Sequence, residues 1–214
     1  MHSEAISEPL WGLLKKIDEN TDMRATYLGG GSGLAFQLGH RISEDLDFYV
    51  RRGFDSFALE EILQRNGFNI LILNQTPRHT EWMVESIKVD WINEIIPLKF
   101  PLKTLSPDIK NIRVADPRDI GRMKILAISS RGSKKDYIDL YCITREIMTL
   151  ESLISLAMEH DKGVKYSKLL FLKGLVDFEE ADREENPSMI LEISWEEVKD
   201  SLKQEVKRIA AEIR

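Results

Sequence analysis

A chain of 214 residues, 43% hydrophobic and 31% charged, suits one globular domain or a core with a lobe, and is long enough to bury a hydrophobic core. The net charge of −6 argues against broad, sequence-independent affinity for nucleic acid, and no apolar run reaches the length of a membrane span. The single cysteine, Cys142, excludes an internal disulfide or a cysteine-built zinc cluster; with an acidic Met1–Pro9 segment that lacks a signal-peptide core, it points to a reducing cytoplasm.

Residues 7–18 read as a helix with Trp11, Leu14 and Ile17 on its core face. A strand at 25–28 leads into the turn Gly30-Gly31-Ser32, followed by a short helix at 33–39 and a second strand at 45–50. A helix at 55–66 ends at Gly67, and strands follow at 68–74, 80–85 and 86–95. Pro97, Pro101 and Pro107 mark a connecting stretch. From Asp116 onward only helices are predicted. Asp116 is a good N-cap and Pro117 a good first residue for a helix with an apolar stripe of Ile120, Met123, Ala127 and Ile128, which Gly132 can end. Ser194 and Glu197 form a capping box before the final helix. Cys142 reads as a small buried hydrophobe, and His40, His79 and His160 are too scattered to be assigned to a metal. The expected fold is α+β: a mixed β-sheet core with flanking helices over residues 1–115 and a helical C-terminal lobe over 116–214.

The strand at 45–50 carries two acids, Asp45 and Asp47. Residues i and i+2 of a strand share a face, so both carboxylates project together while Leu46 and Phe48 turn into the core. Such a pair is a natural holder for a hard cation such as Mg²⁺. The glycine turn lets the backbone approach a ligand, and N–H groups at a helix start suit an anion. Together they are equipment for moving a nucleotidyl or phosphoryl group. A third acid, Asp90, shares one side of its strand with Lys88 and Ile92, opposite Ile87, Val89 and Trp91. An acid there needs a partner, because burying an unpaired carboxylate is costly. A plain edge-strand pairing with Lys88 or an arginine would also supply one.

In the first C-terminal helix, Lys124 and Arg131 are seven apart, two turns along one face; in the next, Lys135 and Asp139 are one turn apart, with Asp136 near the same face. A Lys/Arg face of this kind could neutralise a triphosphate. The ordinary alternative, a basic surface laced with salt bridges, fits Lys134 better than Lys124, which sits in an apolar run. Residues 110–145 hold nine Lys and Arg against four Asp and Glu, whereas 151–214 carry about −5.

Gly31-Ser32, twelve residues, then Asp45-Leu46-Asp47-Phe48 resembles the signature of the polymerase-β-like nucleotidyltransferase superfamily. The stretches Gly30-Gly31-Ser32, Arg41-Ile42-Ser43-Glu44-Asp45-Leu46-Asp47, Met123-Lys124-Ile125-Leu126-Ala127-Ile128-Ser129-Ser130-Arg131 and Lys135-Asp136-Tyr137-Ile138-Asp139-Leu140-Tyr141 resemble the AbiEii/MenT-type nucleotidyltransferase toxins of toxin–antitoxin and phage-defence systems. Ser32-Gly33 stands where that family usually has Thr-Ala, and keeps the hydroxyl.

The resemblance implies an enzyme that moves a nucleoside monophosphate from an NTP to an acceptor hydroxyl, at the 3′ end of a tRNA or on a protein side chain, with an antitoxin as partner. It implies Asp45, Asp47 and Asp90 as ligands of Mg²⁺ or Mn²⁺, with Asp90 alternatively accepting the hydroxyl proton. Gly30, Gly31, Ser32, Ser43, Lys124, Arg131, Lys135 and Asp139 are implied as nucleotide-binding, and Lys124 as catalytic. Two other readings share part of this pattern: a small-molecule nucleotidyltransferase of the aminoglycoside-modifying kind, and an inactive nucleotide- or partner-binding module.

Overall fold

Strict alternation builds the centre of the sheet. Along β2 (Asp45–Val50) Leu46, Phe48 and Val50 are buried while Asp45, Asp47 and Tyr49 are half-buried on the opposite face. The structure, a computed structural model, describes residues 2–51, 55–93, 97–159 and 166–212, and the chain divides into two units, Met1–Asp116 and Pro117–Arg214.

In the first unit α1 (Glu8–Asn20) precedes β1 (Thr26–Leu28), α2 (Gly30–Leu38) and β2; α3 (Ser56–Arg65) then leads into β3 (Ile70–Gln75), β4 (His79–Val84), β5 (Ile87–Asn93), β6 (Lys103–Ser106) and β7 (Ile109–Val114). The strands form one mixed sheet in the order β3-β4-β5-β2-β1-β7-β6, in which β2/β5 and β1/β7 are parallel and the other pairs antiparallel. The α+β architecture with a mixed sheet and flanking helices is the expected one. Residues 94 and 95 of the strand expected at 86–95 lie outside the described residues, as does His160.

One face of the sheet holds the core. Leu46, Phe48, Trp82, Val89 and Trp91 are fully buried there with Leu14 and Ile17 of α1, and Trp11 packs at the margin. Phe48 and Trp91 stack with centroids 4.7 Å apart. Each such side chain contributes about 1.5–3 kcal/mol through removal from water, so the register of β2 on β5 is firmly set.

Two expectations are corrected. The stretch after Pro97 is not merely connecting: β6 and β7 form a hairpin, with Pro107 in its turn, and β7 joins the sheet beside β1. Ile109, Ile112 and Val114 supply its buried face. The buried Asp18 of α1 clasps it, accepting hydrogen bonds from the backbone N–H groups of Lys110 (2.9 Å), Asn111 (2.7 Å) and Ile112 (2.7 Å). A carboxylate 92 or more residues away satisfies these donors, which no local pattern announces. The helix expected at 33–39 begins earlier, at Gly30, inside the glycine run.

The second unit contains α4 (Pro117–Ile128), α5 (Lys134–Glu146), α6 (Leu150–Met158), α7 (Lys168–Gly174), α8 (Glu179–Arg183) and α9 (Trp195–Ala211). Its described elements are helices, as expected. Ile120, Ile125 and Ile128 bury one face of α4, and Gly121 lets α5 and α6 approach, since a side chain there would press on Leu153 and Ile143. Tyr137, Phe178 and Trp195 gather with centroids 5.0–5.9 Å apart. Cys142 is buried, as its surroundings suggested. Only half of the capping box forms. Ser194 Oγ accepts the Glu197 N–H at 3.1 Å, but the Glu197 carboxylate takes the Tyr141 hydroxyl instead of reaching back to the cap.

Candidate active site

The face of the sheet opposite the core is acidic at its centre. Asp45 and Asp47 project from β2, and the parallel register sets Asp47 beside Asp90 of β5 and Asp45 beside Lys88. The glycine turn closes over them. Gly30 has φ 54°, in the left-handed region, and a side chain there would run into the Asp47 carboxylate. The Gly31 N–H donates to Asp47 Oδ2 at 3.3 Å, and a side chain at Gly31 would meet the buried Arg41 guanidinium. The glycines are thus required because the backbone itself must lie against the acid.

Ser32 is held within its unit. It is fully buried, and its hydroxyl bonds Ser43 Oγ (2.8 Å) and the Asp45 backbone carbonyl, with Asp45 Oδ1 at 3.4 Å. Ser43 Oγ in turn donates to Asp45 Oδ1 at 3.2 Å. The two serines organise Asp45.

Asp90 lies on an interior strand, not an edge, and is 7% exposed. Its Oδ1 accepts from His79 Nε2, and Lys88 Nζ stands 3.6 Å from its Oδ2. Directly across from Asp90 on β4 is Glu81, whose carboxylate holds the same lysine at 2.7 Å. Glu81, Asp90 and Asp47 therefore form one row of acids across three neighbouring strands. Hydrogen bonding to Glu81 raises the Lys88 ammonium above its usual value, helped by the charges of Asp90 and Asp45, and Lys88 holds the Glu81 carboxyl below the usual range. Neither His79 nor Glu81 was marked as a site residue by the sequence. The signal available was alternation: His79, Glu81 and Met83 share the face of β4 that Trp82 and Val84 do not.

The donor set is chemically suited to a hard divalent cation: carboxylate oxygens on one face, two of them on a single rigid strand. Among the described residues, no three His, Cys, Asp or Glu side chains already converge into a metal cage. The acids fit as donors, with Asp90 engaged by His79 and Lys88.

In the helical unit Lys124 is 8% exposed and its ammonium bridges Asp136 and Asp139, each at 2.7 Å. Ser133 Oγ donates to Asp136 Oδ2 at 2.9 Å, fixing that carboxylate at the start of α5. The expected shared face of Lys124 and Arg131 does not exist, because α4 ends at Ile128. Arg131 sits just past the turn formed by Ser129 and Ser130, exposed, its N–H bonded to Ala127 O at 2.8 Å. Lys135 is exposed while Asp139 is fully buried, so these two do not share a face either. Arg131 lines a cavity of about 340 Å³ with Lys173, Tyr137 and Asp177. Lys134 is buried, bonded to Glu184 O and to Asn186 Oδ1 (3.2 Å), the structural role its position suggested.

The family model described as "Nucleotidyl transferase AbiEii toxin, Type IV TA system" matches residues 12–212. An uncharacterized protein of Aquifex aeolicus (strain VF5), aq_aa25, is 32% identical over 187 residues, covering 85% of this chain and 86% of its own. Among solved structures, JHP933 from Helicobacter pylori superposes with a TM-score of 0.57 at 17% identity, covering 97% of this chain and 94% of that one. MenT4, the nucleotidyltransferase toxin Rv2826c of Mycobacterium tuberculosis H37Rv, gives a TM-score of 0.60 at 16% identity over 91% of this chain and 80% of its own. Identities this low show a shared fold; the family match extends over nearly the whole chain. With the glycine turn pressed onto Asp47 and Asp90 beside it, the chain belongs to the AbiEii nucleotidyltransferase toxin family and is a nucleotidyltransferase.

Proposed function

We propose that this nucleotidyltransferase moves a nucleoside monophosphate from an NTP to an acceptor hydroxyl, at the 3′ end of a tRNA or on a protein side chain, as the toxin of a toxin–antitoxin or phage-defence pair in the cytoplasm. The observation that carries the reading is the register that sets Asp47 beside Asp90, with Asp45 two residues away and the Gly30-Gly31 turn against Asp47. Asp45 and Asp47 would hold Mg²⁺ or Mn²⁺, which when bound supplies charge to the triphosphate. Ser32 and Ser43 fix the orientation of Asp45. In the transfer the acceptor oxygen bonds to the α-phosphorus, the bond from that phosphorus to the β-bridging oxygen breaks, and pyrophosphate leaves. The hydroxyl proton passes to Asp90. Lys124, held by Asp136 and Asp139, is taken as a cation on which turnover depends, with Arg131 and Lys135 as further nucleotide contacts and Asp139 as the group that orients Lys124. Among the described residues no helix is long and apolar enough to cross a membrane.

The test is incubation with each labelled NTP, Mg²⁺ and total RNA, followed by separation of labelled RNA from labelled protein. Label in RNA supports the tRNA reading and label in protein the side-chain reading. Transfer to neither, with a nucleotide adduct formed on an aminoglycoside, would give the small-molecule alternative. NTP binding without transfer to any acceptor would indicate an inactive binding module.

A further inference from the structure

Asp90 is gripped from a neighbouring strand. His79 is the first residue of β4, and its backbone is fixed by the turn before it: Thr76 Oγ1 accepts the His79 N–H at 3.0 Å, and His79 O accepts the Thr76 N–H at 2.8 Å. The register sets His79 opposite Ile92 and Glu81 opposite Asp90, so the imidazole reaches Asp90 along the diagonal of the antiparallel pair. Its Nε2 donates to Asp90 Oδ1. The Asp90 side chain is 10% exposed and the His79 side chain 40%, so a largely buried acid is bonded to a more accessible imidazole. Lys88, the other group on Asp90, also answers to Glu81, which it approaches more closely (2.7 Å against 3.6 Å). His79 is therefore the closer anchor of the Asp90 carboxylate. A carboxylate directly across from another acid, Glu81, and beside a third, Asp47, would be repelled from both without such an anchor.

We propose that His79 is a positioning residue for nucleotidyl transfer: by donating from Nε2 it fixes which way the Asp90 carboxylate faces beside Asp47. The inference rests on the reading of Asp90 as a group the transfer uses. Loss of an outer hydrogen-bond partner of this kind typically costs about 10- to 100-fold in activity.

The experiment compares His79→Leu with His79→Gln, whose side-chain amide can place a donor near the Nε2 position. With labelled NTP and total RNA, His79→Leu should lower kcat about 10- to 100-fold while the KM for the NTP stays close to wild type, and His79→Gln should recover most of the loss. A second readout needs no turnover. In ¹⁵N-histidine-labelled protein the hydrogen-bonded Nε2–H of His79 should give a downfield resonance that Asp90→Asn shifts or removes. It carries the test if His79→Leu fails to fold. Wild-type kcat in His79→Leu, equal loss in both variants, or a His79 resonance indifferent to Asp90→Asn would each overturn the proposal. Asp45→Asn run alongside separates the two levels: if it keeps wild-type transfer, the site reading itself fails, whatever His79 does.

Discussion

The acid row on the sheet and the Lys124 knot in the helical unit are built from the same parts, a lysine between carboxylates, and differ in access to water. The Lys88 side chain is 44% exposed and bridges Glu81 and Asp90; the Lys124 side chain is 10% exposed and bridges Asp136 and Asp139, the latter fully buried. An exposed pair contributes little and can be opened at little cost, whereas removing one member of a buried pair leaves an uncompensated charge. Lys88 is a solvent-accessible counter-ion shared by two acids. Lys124 is a fixed part of its unit, whatever else it does.

The sharpest way to break this comparison is to remove the acids. Asp45→Asn and Asp47→Asn should each cut transfer about a hundredfold or more, the size of loss seen when a charge-organising group is deleted, with circular dichroism unchanged because both side chains are only half-buried. Most of the activity surviving in either variant would remove the metal assignment. In a bacterial host, expression of the wild-type chain should arrest growth and Asp90→Ala should relieve the arrest. Arrest that persists in Asp45→Ala, Asp90→Ala and Lys124→Ala alike would mean that toxicity is not catalytic.

Lys124→Met probes the other region. It leaves the Asp136 and Asp139 carboxylates facing each other without the ammonium, and should cost about 3–5 kcal/mol of stability. Restoring part of that loss with Asp139→Asn in the same chain would show that the penalty is the stranded charge. An unchanged melting temperature with weakened NTP binding would instead make Lys124 a ligand-facing cation. The smallest effect belongs to the exposed pair. The Glu81 carboxyl is held below its usual value by Lys88, so its contribution to stability is present above the ordinary carboxylate range and fades as pH falls through the lowered value. Glu81→Gln should lower the melting temperature slightly at neutral pH, where the contribution is present, and leave it nearly unchanged at the acid end, so that the acid limb of the profile flattens. A large drop at neutral pH would mean that the Lys88–Glu81 pair stabilises the fold far more than its exposure allows.

Much of the sheet was legible in the sequence because burial there is one-sided: Leu46, Phe48, Val89 and Trp91 alternate with Asp45, Asp47, Lys88 and Asp90, and each alternation points the acids away from the core. What the sequence withheld depends on distant partners. The β6–β7 hairpin is tied to Asp18 across more than ninety residues, and the prolines around it read as a connection. His79 looked like a stray histidine because its importance comes from a diagonal contact between two strands. Ser32 was legible as part of the glycine-turn motif, but its bonds to Ser43 and to the Asp45 carbonyl reach residues 11 and 13 positions away and no local pattern announces them. Arg131 was placed on a helix that stops three residues earlier, where Ser129 and Ser130 bond back to Leu126 and Ala127 carbonyls and cap the turn.

The parallel pairing of β2 with β5 makes the site discrete in its tolerance of change. Position along β5 is counted in whole residues, and the two sides of a strand trade places at every step. Deleting one residue between Ile87 and Asp90 would present an apolar side chain to Asp47 and drive the acid among Phe48 and Trp82. No small adjustment lies between the intact and the ruined arrangement, so viable drift in this chain should substitute residues within β5 and confine length changes to the turns that flank it.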